Sequence, residues 1–261
     1  MTSITKAALL GLVQGLTEFL PISSSGHLVL TGELFQLAEE SFAFDAVIHL
    51  ATLLAVVVYF RREIKELLSF RKAPKQKRLL INLGIATLPA ILAGFLFYQS
   101  LVSFFEKPLL VAGLMMITAL VLILFERLGK PKFTLGQLGA SRSLGIGLAQ
   151  SLALLPGVSR LGLTLSAGLF YGLKREETAR FSFLLSLPII LAAGLLALGQ
   201  AGRSGFVFDL PLLVGFLVAF AVALLAIAFL MRYIKRYSLV PFAIYLLLVG
   251  GGFLVYRFFF V

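Results

Sequence analysis

Long apolar stretches alternate along this chain with short polar, mostly basic ones. Six stretches, at 42–60, 79–100, 109–125, 181–199, 210–231 and 239–260, have the length and character of membrane-crossing helices, which need about 20 apolar residues. Two regions break the pattern. Residues 4–20 run into Pro21-Ile22-Ser23-Ser24-Ser25-Gly26-His27 and then a short apolar arm, 28–37. Residues 143–155 run into Pro156-Gly157-Val158-Ser159-Arg160 and then the arm 161–173. Each arm of this second region is about 20 Å long as a helix, too short for about 30 Å of hydrocarbon. Both regions are therefore expected to be re-entrant hairpins, entering and leaving on one side. Irregular backbone at membrane depth requires cover from protein or a wet cavity.

Basic residues fix the expected orientation. The loop 61–78 carries eight Lys and Arg and is expected to be cytoplasmic, by the excess of positive charge on that side of membranes. If both broken regions re-enter, the segments 126–142, 174–180 and 232–236 fall on the same side. Lys6, Lys107, Arg203 and Arg257 are left outside, together with both termini. If 143–173 crossed instead, two basic loops would change sides. The first hairpin is thus expected to enter from outside and the second from inside. Gln14 to Pro21 and Gln150 to Pro156 also echo each other. The expectation is an all-α polytopic bundle in a single transmembrane domain, 1–261. It has six spans and two re-entrant helix pairs, arranged as an inverted-topology repeat with halves of roughly 1–125 and 126–261. Such repeats place sites near the midplane, where broken helices meet.

Composition agrees with lipid as the solvent. Apolar residues make up 60% of the 261 and charged residues 13%, where a soluble domain has roughly a quarter charged. The net charge of +11 is accounted for by the basic loops, so no nucleic-acid partner is expected. The chain has no cysteine, which excludes disulfides and thiolate chemistry. The first apolar run contains Gln14 and Glu18 and lacks a small-residue cleavage site, so it is not expected to be a cleaved leader.

Chemistry concentrates in the two breaks. Glu18 is an acid in an apolar arm, where a charge costs about 3 kcal/mol or more and marks function. Gln14 lies one turn before it, on the same face. Ser23, Ser24 and Ser25 precede the second arm; helix capping accounts for at least one of them. The same helix N-terminus offers free amides to an anion, and a serine there can attack phosphorus if a base is near. His27 shares this break and is suited to proton transfer. In the second break, Arg160 fits bidentate phosphate binding, Ser159 and Thr164 add hydroxyls, and Gly157 permits close backbone approach. Asp45 and His49, four apart on the first span, read as a local hydrogen-bonded pair. Together these are the parts for phosphoryl transfer, in which positioning and charge neutralisation dominate. A divalent cation would bridge Glu18 and phosphate oxygens. There is neither a G-x-x-x-x-G-K loop nor an H-E-x-x-H motif.

These motifs resemble the undecaprenyl-diphosphate phosphatase, or bacitracin-resistance, family. The run from Gln14 to His27 resembles its first signature. Pro156-Gly157-Val158-Ser159-Arg160 with Thr164 resembles the second, and Phe44 to Val56 is similar to a segment between them. The resemblance implies a bacterial plasma-membrane enzyme that hydrolyses undecaprenyl (polyprenyl) diphosphate to the monophosphate and phosphate, recycling the lipid carrier of cell-wall synthesis. It implies a divalent cation, Mg2+ or Ca2+, held by Glu18 and Gln14, a site open to the outer side, and a homodimer. By position it makes Glu18, Ser24, His27 and Arg160 catalytic, with Ser23, Ser25, Gly157, Ser159, Arg160 and Thr164 binding phosphate. Two positions depart from the family: Gln14 stands where many members have Glu, and Leu161 where they have Ser. Acid-phosphatase-type lipid phosphatases are excluded, because they need a second His after the Arg and none follows Arg160. The competing class is a polyprenyl-phosphate flippase, which shares the inverted-repeat architecture but needs no nucleophile.

Overall fold

Each break begins where the backbone can no longer propagate a helix. In the computed structural model, which describes residues 3–35, 42–69, 74–203 and 209–260, α1 (Ser3–Glu18) stops just ahead of Pro21, and α2 (Ser24–Leu34) starts behind it. Pro has no N–H to donate and its ring obstructs the preceding turn. Ser23 turns the chain with a φ of 68° and accepts the Gly26 amide at 3.2 Å on its hydroxyl, capping α2. The second break repeats this arrangement. After α7 (Ala140–Leu152), Pro156 and Gly157 redirect the chain, and Ser159 caps α8 (Arg160–Phe170) by accepting the Gly162 amide at 3.0 Å. Gly157 has a φ of 89°, and an added Cβ there would collide with the Val111 carbonyl, so only glycine fits.

Between and after the breaks run α3 (Phe42–Tyr59), α4 (Arg61–Leu68), α5 (Pro74–Phe105), α6 (Pro108–Leu128), α9 (Arg175–Arg203), α10 (Leu210–Tyr233) and α11 (Val240–Phe260). Helices α5, α6, α9, α10 and α11 are long and apolar enough to cross a membrane by themselves. A sixth span arises if α3 and α4, bent by 77° at their junction, count as one. The loop expected at 61–78 is thus partly helical. Its basic residues do not end helix formation, because Lys and Arg are good helix formers, and α5 begins with Pro at its first position, where a missing N–H costs nothing. Residues 36 and 37 of the expected second arm lie outside the described residues.

The packing pairs helices across the two halves. Helix α1 lies along α10 and α7 along α5; α3 packs on α9, and α6 on α11. Exchanging α1, α2, α3, α5 and α6 for α7, α8, α9, α10 and α11 in order turns the first two pairings into each other and leaves the last two unchanged. The α1–α10 seam is built from small residues. A Cβ on Gly11 would lie 2.5 Å from the Gly215 carbonyl oxygen, and one on Gly15 would lie 2.6 Å from that of Ala219. Close backbone approach of this kind is the usual means of helix association in lipid, where there is no hydrophobic force between helices. Gly147 meets Ala86 the same way on α5.

At the first break, Phe19, Phe60 and Phe183 pack as tilted rings in a fully buried cluster, with ring centroids 5.5 and 5.4 Å apart along the chain of contacts. They join the residues that follow α1 and α3 to α9. At one end of the bundle, Glu126 pairs with Arg175, Glu177 accepts the Leu135 amide at 2.9 Å, and Glu176 pairs with Arg180 and Lys235. On the periphery, Phe95, Leu225 and Leu248 are exposed, as expected of a surface facing lipid acyl chains.

Candidate active site

The two breaks meet. Glu18 ends α1 and Arg160 begins α8, and their side chains form an ion pair at 2.9 Å between Oε1 and Nη2. Both side chains are largely buried, 6% and 13% exposed. The other carboxylate oxygen, Oε2, accepts the Ser24 hydroxyl at 2.5 Å and the Gln14 amide nitrogen at 3.1 Å. Helical spacing puts Gln14 and Glu18 one turn apart on one face, so the amide steadies the carboxylate along its own helix. Three donors therefore fix Glu18, with the guanidinium carrying the opposite charge. A buried carboxylate is tolerable only when paired and hydrogen-bonded in this way.

The breaks are also joined away from the ion pair. The Gly157 amide donates to the Ser25 hydroxyl at 3.3 Å. On α6, Thr118 accepts the Ser159 amide at 3.3 Å, and its hydroxyl lies 3.4 Å from the Gly157 carbonyl. Helices α2 and α8 consequently present their N-terminal turns close to the same Glu18–Arg160 pair. Each contributes amides and the positive end of its dipole.

Two buried polar atoms at this junction have no hydrogen-bond partner, Nη1 of Arg160 and Oε1 of Gln14. A buried polar group without a partner normally costs 1–3 kcal/mol, roughly. One is a cationic donor and the other a neutral oxygen acceptor, and they flank the same carboxylate.

The sequence-derived residues divide by what they touch. Glu18, Ser24, Arg160 and Gln14 form the constellation itself. Ser23 and Ser159 are occupied as helix caps, Ser25 binds the opposite break, and Gly157 supplies the turn. The Thr164 hydroxyl donates back to the Arg160 carbonyl at 3.0 Å within its own helix, so it does not join the cluster. His27 points elsewhere: its Nδ1 lies 2.8 Å from the Ser23 carbonyl and its Nε2 lies 2.8 Å from the Tyr245 hydroxyl on α11. His49 makes its bond to the Asp45 main-chain carbonyl at 2.7 Å. Sequence reading passed over two contributors. Thr118 gave a weak signal, a lone hydroxyl mid-span. Tyr245 gave none, since aromatic residues are common in spans.

Aligned on their caps, the two breaks correspond at one constant offset. Gly11, Gln14, Ser23 and Gly26 of the first fall on Gly147, Gln150, Ser159 and Gly162 of the second. The one-residue length difference apparent between Gln and Pro is taken up inside the break, before the cap.

Comparison with known proteins gives the family. Residues 7–252 match the family described as bacitracin resistance protein BacA. An undecaprenyl-diphosphatase of Geobacter sulfurreducens is 42% identical over 265 residues, 98% of each chain. Undecaprenyl-diphosphatases of Alcanivorax borkumensis and Rubrobacter xylanophilus are 41% and 42% identical, covering 94% of this chain and 96% and 95% of theirs. The chain belongs to the bacitracin resistance protein BacA family.

Proposed function

We propose that this protein hydrolyses undecaprenyl diphosphate, or a related polyprenyl diphosphate, to the monophosphate and inorganic phosphate, returning the lipid carrier to cell-wall synthesis. The observation that carries this is the Ser24–Glu18–Arg160 chain. A hydroxyl rests on a buried carboxylate, which is itself held by a guanidinium with one nitrogen still unpartnered. Relatives at about 41% identity over nearly the whole chain carry the undecaprenyl-diphosphatase name, which supports the same substrate class.

In this reading the diphosphate replaces the missing partner of Arg160 Nη1, and the first-turn amides of α2 and α8 take further phosphate oxygens. The Ser24 oxygen attacks the terminal phosphorus while its proton passes to Glu18. The bond from that phosphorus to the bridging oxygen breaks, and the prenyl monophosphate leaves with the bridging oxygen. Water then attacks the phosphoserine, gives one proton to the site, and regenerates the Ser24 hydroxyl as phosphate departs. Glu18 suits the base role because it already receives the Ser24 hydrogen bond. His27, bonded on both nitrogens to other groups, supports the break and does not act as the base.

The oxygen donors Gln14 Oε1, Glu18 and Ser24 suit a hard divalent cation, Mg2+ or Ca2+. Among the described residues no group of three or more His, Cys, Asp or Glu could hold a metal, so a cation here would share its coordination with substrate phosphates. Bound, it would neutralise phosphate charge.

The exchange of helix pairings between the halves, with the basic loops collected on one side by the Lys and Arg count, supports an inverted repeat with six spans and two re-entrant pairs. It also supports cytoplasmic basic loops, outer termini and a site reached from outside. The family resemblance adds a homodimer in the bacterial plasma membrane.

The test is phosphate release from a prenyl diphosphate by the purified chain, with Mg2+, with Ca2+ and with EDTA, beside Glu18→Gln and Arg160→Ala. Cation-dependent release that both substitutions abolish is the expected result. Folded protein that releases none with any divalent ion would overturn the reading and favour transport of the intact lipid. Trapping of a phosphoryl group on Ser24 tests the covalent step; direct incorporation of labelled water oxygen with no adduct would remove it.

A further inference from the structure

His27 is tied down at both ring nitrogens, and the two ties fix its hydrogen. The Ser23 carbonyl can only accept a hydrogen bond, so Nδ1, 2.8 Å away, carries the proton. Neutral imidazole then has a lone pair at Nε2, and the group facing it at 2.8 Å is the Tyr245 hydroxyl. The two rings also stack nearly parallel, 5° between planes and 5.5 Å between centroids. A second contact joins the same helices farther along: Arg257 of α11 pairs with Glu33 of α2 at 3.1 Å. Tyr245 thus arrives as part of a two-point seam between α11 and α2.

The other end of this chain of bonds is the strained residue of the site. Ser23 adopts a φ of 68°, a conformation uncommon for a non-glycine residue and sustained only where its surroundings enforce it. Its carbonyl takes the His27 Nδ1–H, its hydroxyl caps α2, and the next residue is Ser24. Whatever holds the Ser23 carbonyl also sets the direction from which the Ser24 hydroxyl approaches Glu18.

We infer that Tyr245 is a positioning residue for phosphoryl transfer: its hydroxyl donates to His27 Nε2, fixes the Nδ1–H tautomer, and through the Ser23 carbonyl keeps Ser24 on Glu18. This rests on the phosphatase reading above. The tyrosine touches neither the carboxylate nor the guanidinium; it acts through His27 alone.

The experiment is a double-mutant cycle on the full chain in detergent, with Tyr245→Phe, His27→Gln and the pair, measuring kcat, KM and thermal unfolding. Phe keeps the stacked ring and removes only the hydroxyl. A fall in kcat of about tenfold with KM within about twofold is expected, and the effect vanishes when His27 is already Gln. Equal losses with and without His27, or no loss, would overturn the inference. A histidine 15N NMR spectrum of the unsubstituted chain, assigned with His49→Gln, needs no variant at 245. It should show His27 protonated on Nδ1, and a proton on Nε2 would overturn the inference even if Tyr245→Phe fails to fold. Absence of phosphate release from the unsubstituted chain defeats the phosphatase reading itself. Release with a wrong tautomer or an additive cycle defeats only the role of Tyr245.

Discussion

The two broken helix pairs share a scaffold and differ in chemistry. Both have the same capping serine, the same glycine three residues on, and a buried glutamine nine residues before the cap. At the same offset, Glu18 corresponds to Leu154, Ser24 to Arg160 and His27 to Leu163. The first break holds the base and nucleophile of the proposed reaction, and the second holds one positive charge among apolar residues. A cap and a tight turn make a helix N-terminus anywhere, and that is enough to attract an anion. The proposed chemistry on the anion further needs a carboxylate and a hydroxyl, Glu18 and Ser24, and the second break has Leu154 and Arg160 at those positions.

The comparison fails if the carboxylate can be moved. Glu18→Gln should lower kcat by about 1,000-fold or more, since it removes the base and unbalances Arg160; phosphate release measures it. Adding Leu154→Glu should recover none of that loss, because Ser24 stays behind in the first break. Recovery would mean that the halves are interchangeable. The division of labour is sharpened by Arg160→Lys, which keeps the charge and loses the fork. A fall of about 100-fold in kcat/KM, mostly through KM, is expected from steady-state kinetics. The caps should give the smallest effect. Ser159→Ala should cost about 1 kcal/mol of stability. Ser23→Gly should leave stability unchanged or raise it, because glycine relieves the left-handed strain; Ser159→Gly, at an extended φ of −76°, offers no such relief. Thermal unfolding in detergent separates these cases.

Much of this architecture can be read along the chain. Apolar length marks the spans, Pro21 and Pro156 mark the breaks, and Glu18 and Arg160 are too costly in lipid to be incidental. Their pairing follows once two short arms are placed in one bundle. Other features depend on where distant segments go. Nothing near His27 indicates that Tyr245, more than two hundred positions away, would take its Nε2. Thr164 reads as a phosphate ligand by position, yet a threonine hydroxyl in a helix has a carbonyl one turn back within reach and donates there. The 77° turn from α3 to α4 is likewise hidden, since basic residues suit a loop and an amphipathic surface helix equally. His49, read as one half of a local hydrogen-bonded pair with Asp45, makes that bond to the Asp45 main-chain carbonyl.

The glycine seam between α1 and α10 has a mechanical consequence. At Gly11 and Gly15 the backbone of α1 lies directly against the backbone of Gly215 and Ala219, so at these two points no long side chain can change rotamer and yield. A slide of α1 by one residue, or a rotation by a fraction of a turn, would drive backbone into backbone. The helix carrying Glu18 therefore sits like a key in its slot, with its depth and azimuth set. Helices α2 and α11 meet instead through side chains, His27 with Tyr245 and Glu33 with Arg257. The depth of the carboxylate is thereby set by backbone against backbone, while the approach of Ser24 on α2 is set by side chains.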